Sequence, residues 1–522
     1  MKERLVEDWL TRINERGYQT AFGQSLLARG FRVLRISHSP FEHGKDVLAI
    51  SPGNEVHGYQ LKGVDIGVKE WEAGYGQICA LVETRPSHPA LPSDYVYRPF
   101  IVTNGIFTDP ALDRIEQHNK EWERRGCPKL TPIGGKELHR DLVNLASDFW
   151  PVEPPDVRKF RALYLVDGRG DFAAAEFASF MRTLLAGELS TKELERRVAA
   201  ANVFASYLLG EFYRQEDHWN LFRGWILTAA HLSWAAERNG HQQAGWTESF
   251  ALAKDAAVTA LSALATECAT DFAFMPRGME LDEYTCLRNT VAVGAWSAKC
   301  LINESETSRR RCVEQIECFA TEGRLWFWGE SAFPTLLAVV WLLEREGRLK
   351  LARELLLGFA AELAANQHPD TLNPMTDPYV SADDALKKAI EARTDPQKKR
   401  RNPVQSYTLL PLTLLMVRRN MRKELEELWP QLSLVTATFF GPDKSWGYLE
   451  WHCNEGHERD QTFAQPQSWK QLVELATTPA IERLPMTLRN DWQFGLMFLL
   501  AVPHRINWSI IGNVDQRVTA RS

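Results

Sequence analysis

GKDVLAISPGNEVHGYQLKG, residues 44–63, reads as two short apolar strands, DVLAIS and HGYQLKG, joined by a turn. The turn, SPGNEV, combines Pro, Gly and Asn in the way a tight connection requires, so the two strands are predicted to be antiparallel neighbours. Side chains alternate between faces along a strand, so Gln60 and Lys62 share one face, about 6.6 Å apart over two residue rises, while Tyr59 and Leu61 face the other way. Asp46 heads the first strand, where it can meet them. An acid, an amide and an amine kept together in an otherwise apolar hairpin call for more than packing, because burying charge is costly unless other bonds satisfy it.

Outward from the hairpin, residues 1 to about 150 alternate helix and strand patterns. LVEDWLTRIN and YQTAFGQSLLARG read as helices, then FRVLRIS and the two hairpin segments as strands, followed by VKEWEAGYGQICALVE (helix), RPFIVTN (strand), DPALDRIEQHNKEWERR (helix), KLTPI (strand) and KELHRDLVNLASDF (helix). The linker WPVEPPDVRK, with three prolines, closes this α/β domain. Beyond it the strand signal disappears, and segments such as TKELERRVAAANVFASYLLGEFYR and KLARELLLGFAAELAAN repeat at helical spacing. The expectation is an α/β domain over 1–150, with a central mixed sheet flanked by helices, and an all-α region over 151–522. GDFAAAEFASFM and GRLKLARELLLGFAAEL share a small-residue pattern that suggests a helical-repeat array, although no fixed period holds over three units. DPQKKRRNP, 395–403, is the expected internal hinge.

Composition bounds the function. A chain of 522 residues, 44% hydrophobic, 25% charged and holding 18 tryptophans, has ample material for a core and is not disordered. Its net charge of −6 gives no overall basic field, so contact with nucleic acid would have to come from local patches. The eight cysteines include no CxxC pair and read as reduced thiols of a cytoplasmic protein. The charged amino terminus lacks the apolar stretch of an export signal, and the longest apolar runs, FPTLLAVVWLL and FGLMFLLAV, fall well short of the about 20 residues of a membrane span.

The chemistry that suits the hairpin is phosphodiester hydrolysis, which needs oxygens to hold a divalent cation and a positive group for the attacking water or the developing charge. Asp46, the Gln60 amide oxygen and the Leu61 backbone carbonyl are candidates to hold Mg²⁺, or Mn²⁺, leaving Lys62 for the water. GKD, thirteen intervening residues and QLK resemble the D…QxK variant of the PD-(D/E)XK nuclease superfamily, specifically the Mrr-like restriction endonuclease domain. YQTAFGQSLLARGF is similar to that family's opening helix, FIVTNGIFTDPALDRIEQHN to its next strand and helix, and LTPIGGKELHRDL to its last strand and helix, so the similarity spans about residues 18–145 in matching order. The resemblance implies a restriction-endonuclease-like fold, Mg²⁺-dependent cleavage of nucleic acid with DNA favoured, and catalytic roles for Asp46, Gln60 and Lys62. It also implies a restriction or antiphage defence role. Where the family usually places a Glu on the opening helix, this chain has Gln19, a further candidate ligand but a poorer one for a hard cation; Glu15, Glu42 and His43 are candidates to supply the missing oxygen or nitrogen. Two other readings of the triad remain open: a structural Asp46–Lys62 ion pair, and a domain that keeps the fold without cleaving.

Several other signals are weighed against blander meanings. Lys398, Lys399, Arg400 and Arg401, and the run SRRRC at 308–312, are candidates to contact phosphates or to form solvated charged faces. His452, Cys453 and His457 have no partner pair at zinc spacing and read as a polar loop. The tryptophans of WNLFRGW, RLWFWGE and DWQF read first as core. Neither GPDKSWG nor IGGKEL has the spacing of a phosphate loop, so no nucleotide motor is expected. The combined reading is a nuclease, acting as a homodimer or larger oligomer, whose helical region binds a partner protein or trigger and controls cleavage. The runner-up is a catalytically silent nucleic-acid-binding or scaffold protein.

Overall fold

The computed structural model describes residues 2–36, 44–170, 172–240, 245–271, 283–303, 306–325, 327, 329–365, 405–450, 458–462 and 468–520. They divide into two compact units, residues 1–260 and 261–522.

The first unit opens with α1 (Lys2–Arg12) and α2 (Glu15–Ala28), separated by Asn14, whose side chain accepts from the Gly17 amide and so caps α2. Then come β1 (Arg32–Ile36), β2 (Val47–Ile50), β3 (Val56–Lys62), α3 (Val68–Glu83), β4 (Tyr97–Thr103), α4 (Asp109–Arg124), β5 (Thr131–Ile133) and α5 (Gly135–Leu145). The strands form one mixed sheet in the order β1-β2-β3-β4-β5, antiparallel from β1 to β3 and parallel from β3 to β5. The expected hairpin is present, with Val47 opposite Tyr59 and Ile50 opposite Val56. Its turn closes with the Asn54 amide donating to the Ser51 carbonyl and the Ser51 amide to that of Glu55, and Asn54 sits at φ 61°, a left-handed conformation that Asn tolerates better than most residues.

Both faces of the sheet are covered, as a sheet with parallel strands requires. On one face Trp71, Ile78, Leu81 and Val82 of α3 and Ala111, Ile115 and Trp122 of α4 enclose Ile101 of β4. On the other, Phe22 of α2 meets Tyr59 edge-on at 5.1 Å.

The sheet domain does not stand apart from the helices that follow. The segment expected as a linker becomes a helix, α6 (Pro154–Tyr164), because proline is tolerated in a first turn, where amides have no helical partner anyway. After α7 (Ala174–Leu184), α8 (Thr191–Leu208) packs directly on α2, followed by α9 (Gly210–Arg214), α10 (His218–Arg238) and α11 (Trp246–Asp271). The Trp9 indole donates to the Ser206 carbonyl and stacks edge-on against Tyr207 at 4.7 Å, while Asn202 of α8 donates to Gln24 of α2 and to the Ser249 carbonyl. Trp150, in the expected linker, packs at 5.3 Å from Phe204. The last strand of this unit, β5, ends at Ile133, inside the expected α/β domain, but the compact unit continues to residue 260.

The second unit is mainly helical: α12 (Glu283–Asn303), α13 (Glu306–Thr321), α14 (Phe333–Arg345), α15 (Leu349–Ala365) and further helices at Leu409–Arg418, Arg422–Leu432, Trp492–Ala501 and Trp508–Thr519. Two expectations need correction. The region is not all-α, since β6 (Gln405–Ser406), β7 (Thr436–Phe440) and β8 (Glu458–Thr462) form a small sheet, β6 parallel and β8 antiparallel to β7. Nor is it a helical-repeat array, in which each repeat touches only its neighbours. Leu336 to Leu343 of α14 are fully buried, and Trp341 reaches Asp515, 174 positions away, with a 2.8 Å bond. Asp515 also receives Arg418 at 2.7 Å and Arg419 at 2.8 Å, and Arg419 pairs with Glu344, so these buried charges have the partners that make burial tolerable. The expected hinge at 395–403 lies outside the described residues. Among the described residues no helix is long and apolar enough to cross a membrane.

Candidate functional site

The hairpin sequence brings its polar side chains to one place because β2 begins just after Asp46, where the ladder to β3 is irregular. The Asp46 amide donates to the Tyr59 carbonyl at 2.8 Å, and the Asp46 carboxylate accepts the Leu61 amide at 2.6 Å, standing in for a backbone acceptor. A strand residue's N–H and C=O point to the same neighbouring strand, so the Leu61 carbonyl faces the Asp46 flank as well. Gln60 and Lys62 both project towards α3, as alternation requires, and both end on a single atom: Gln77 Oε1 accepts from Gln60 Nε2 at 2.9 Å and from Lys62 Nζ at 3.0 Å. The Gln60 amide oxygen is buried with no hydrogen-bond partner.

Two residues of α2 clamp this arrangement. Gln19, 3% exposed, donates its amide to the Asp46 backbone carbonyl at 3.0 Å, so its nitrogen faces the acid and it acts on Asp46 as a tether. Tyr18 straddles Lys62: its hydroxyl donates to the Lys62 carbonyl at 3.0 Å and accepts the Lys62 amide at 3.1 Å. Burial raises the Tyr18 phenol well above its ordinary value, which keeps the proton this double contact needs. Glu15, the first residue of α2, lies beside the backbone just past Lys62, since a Cβ added to Gly63 would stand 3.0 Å from its Oε2. Glu42 and His43 lie outside the described residues, as do Lys398, Lys399, Arg400, Arg401, His452, Cys453 and His457.

Glycine 44 sets the approach of α3. It has φ +74°, and a Cβ there would fall 2.5 Å from the Gln77 carbonyl, so only glycine lets the GKD segment lie this close to the helix. Lys45 follows, 7% exposed, its ammonium 3.4 Å from the Ala80 carbonyl and over the Tyr97 ring. Burial lowers its pKa to about 8. Between about pH 8 and the ordinary lysine value the unfolded chain therefore binds more protons than the folded one, and stability should rise with pH. Lys45→Met should flatten that rise, measured as urea midpoints from pH 7.5 to 10; an unchanged slope would mean that Lys45 is not the group responsible.

The donor set suits a hard cation. It offers one carboxylate, one amide oxygen without a partner and one backbone carbonyl, with neither thiolate nor imidazole to favour zinc. Among the described residues no three His, Cys, Asp or Glu side chains gather into a metal-holding group, so any ion here would depend on the neutral oxygens of Gln60 and Leu61. Sequence reading passed over Gln77 and Tyr18. Gln77 is an exposed polar residue among small ones on α3, and its role depends on contacts 15 and 17 positions away.

Elsewhere, the basic run at 308–312 lies on α13, where Arg309 pairs with Glu346 at 2.6 Å and Arg310 with Glu306. Trp225 is fully buried and Trp492 is 9% exposed, as core residues should be, while Trp326 and Trp328 lie outside the described residues.

No family model matches the chain, and neither a curated protein nor a solved structure does.

Proposed function

We propose that the chain is a metal-dependent endonuclease of the Mrr-like, PD-(D/E)XK type that hydrolyses phosphodiester bonds, with DNA the favoured substrate. The observation that carries this reading is the buried, unpartnered Gln60 amide oxygen, one residue before the Leu61 amide that the Asp46 carboxylate accepts and two before Lys62 on the same strand. A buried acceptor left without a donor costs about 1–3 kcal/mol, a cost removed if a cation fills the site. Asp46 contributes the anionic oxygen, and Gln60 and the Leu61 carbonyl contribute neutral ones. When bound, Mg²⁺ or Mn²⁺ would polarise a phosphate oxygen and make water more acidic. Lys62, its backbone fixed by Tyr18, holds the attacking water or answers the charge that grows on the phosphate. Gln19 contributes by holding the Asp46 backbone.

With one such site per chain, cutting both strands of a duplex calls for two copies, so the working form is a homodimer or larger oligomer. The helices of 151–522 are far more than a sheet domain needs to grip substrate, and their role is to restrain or direct cleavage in response to a partner or trigger, as befits a cytoplasmic restriction or antiphage effector.

Purified protein incubated with plasmid, single-stranded DNA and RNA tests this reading. Cleavage of DNA is expected with Mg²⁺ and at least equally with Mn²⁺, and none with EDTA. Full cleavage in EDTA after dialysis would refute the metal mechanism; binding of nucleic acid without cleavage under every condition would favour a silent binding protein.

A further inference from the structure

An amide side chain has a donor end and an acceptor end of nearly the same shape, so a glutamine used as a metal ligand must be told which way to face. The contacts around Gln77 supply that instruction. Lys62 has only hydrogens to offer, so the atom that meets its ammonium at 3.0 Å must be an acceptor, and Gln77 presents its oxygen. That oxygen in turn accepts a donor at 2.9 Å from Gln60, which can only be the Gln60 NH₂. A flipped Gln60 would set two carbonyl oxygens against each other at that distance. The Gln60 oxygen is therefore turned away from α3 and left in the buried space without a protein partner.

We infer that Gln77 is a positioning residue that fixes the polarity of the Gln60 amide, and so makes Gln60 a divalent-cation ligand. The inference rests on the metal-dependent reading given above. It explains why the lysine and the glutamine meet on one helix atom: the cation on Lys62 sets Gln77, and Gln77 sets Gln60. The close seat of Gly44 on the Gln77 carbonyl holds this part of α3 at the required distance. Gln77 itself is exposed, so replacing it removes the instruction without opening the core.

The test measures Mn²⁺ binding to the full chain by electron paramagnetic resonance, without nucleic acid, for wild type, Gln77→Met, Gln77→Glu, Gln60→Glu and the double variant Gln60→Glu/Gln77→Met. Loss of such an outer contact typically weakens metal binding about 10- to 100-fold, and that is the expected effect of Gln77→Met, with the fold retained. Gln77→Glu keeps an acceptor at the same place and should bind as wild type or tighter. The double variant separates positioning from general support, because a carboxylate at position 60 has two oxygens and no polarity to fix. Gln77→Met should then change Mn²⁺ affinity by less than about twofold relative to Gln60→Glu alone. Wild-type affinity in Gln77→Met, or an equal loss in the Gln60→Glu background, would overturn the assignment while leaving the nuclease reading intact. Wild-type protein that binds no Mn²⁺ would overturn both.

Discussion

Asp46→Asn and Lys62→Ala are each expected to reduce DNA cleavage by a factor of at least about 100 to 1,000, with the fold retained. Asparagine is the better probe at position 46, because the carboxylate there also accepts the Leu61 amide at 2.6 Å. An amide oxygen can keep that bond while removing the only charge in the proposed ligand set, whereas alanine would also leave a strand amide unsatisfied, at about 1–3 kcal/mol. At position 62 alanine suffices, because Tyr18 holds the lysine through its backbone amide and carbonyl, neither of which the substitution touches. Gln60→Glu is the informative companion. It puts a carboxylate, a better ligand for a hard cation than an amide, at position 60 and should retain or raise activity. If Asp46 and Lys62 were instead a structural ion pair, both variants would lose about 3–5 kcal/mol of stability, and any lost activity would follow the melting temperature. Wild-type rates in well-folded Asp46→Asn and Lys62→Ala would place catalysis elsewhere.

The second large effect concerns truncation. A fragment ending near Trp150 contains every strand of the five-stranded sheet, yet it is expected to be largely unfolded or aggregated. Trp9, 3% exposed, would lose Tyr207 and its indole acceptor on Ser206; Gln24 would lose Asn202; Trp150 would lose Phe204. Exposing a single buried tryptophan of about 200 Å² gives up roughly 5 kcal/mol, a large part of the 5–15 kcal/mol that stabilises a typical domain. Ending the fragment near residue 240 keeps α8 and its contacts with α1 and α2, and should restore cooperative melting. Circular dichroism melts of the two fragments check this, and a cooperative transition in the shorter one at the temperature of the longer would contradict it. The same contacts bear on the proposed control of cleavage. α2 carries Tyr18 and Gln19 at the site and Gln24 on α8, so a displacement of α8 would reach Asp46 and Lys62 through one rigid helix.

The α/β part was legible in the sequence because its signals are local. Asn54 marks the turn, alternation puts Gln60 and Lys62 on one face, and apolar spacing marks α3 and α4; each depends on residues a few positions apart. Gln77 and Tyr18 were not legible, since their roles follow from contacts across 15 to 44 positions that only the packing of α2 and α3 on β3 creates. The sheet of the second unit was missed because its strands are two to five residues long and lie among helices. α14 shows no polar face from which a partner could be read, being apolar all round, and only the fold reveals that it is surrounded. The prolines at 154 and 155 suggested a break, though the same residues are compatible with a helix start.

The most direct test of the metal-centred account is an anomalous difference map from crystals of the wild-type protein soaked in Mn²⁺. A single peak is predicted within about 2.3 Å of an Asp46 carboxylate oxygen, Gln60 Oε1 and the Leu61 carbonyl oxygen. A peak bound elsewhere, or none, with the Gln60 oxygen taken up by a protein donor, would contradict it.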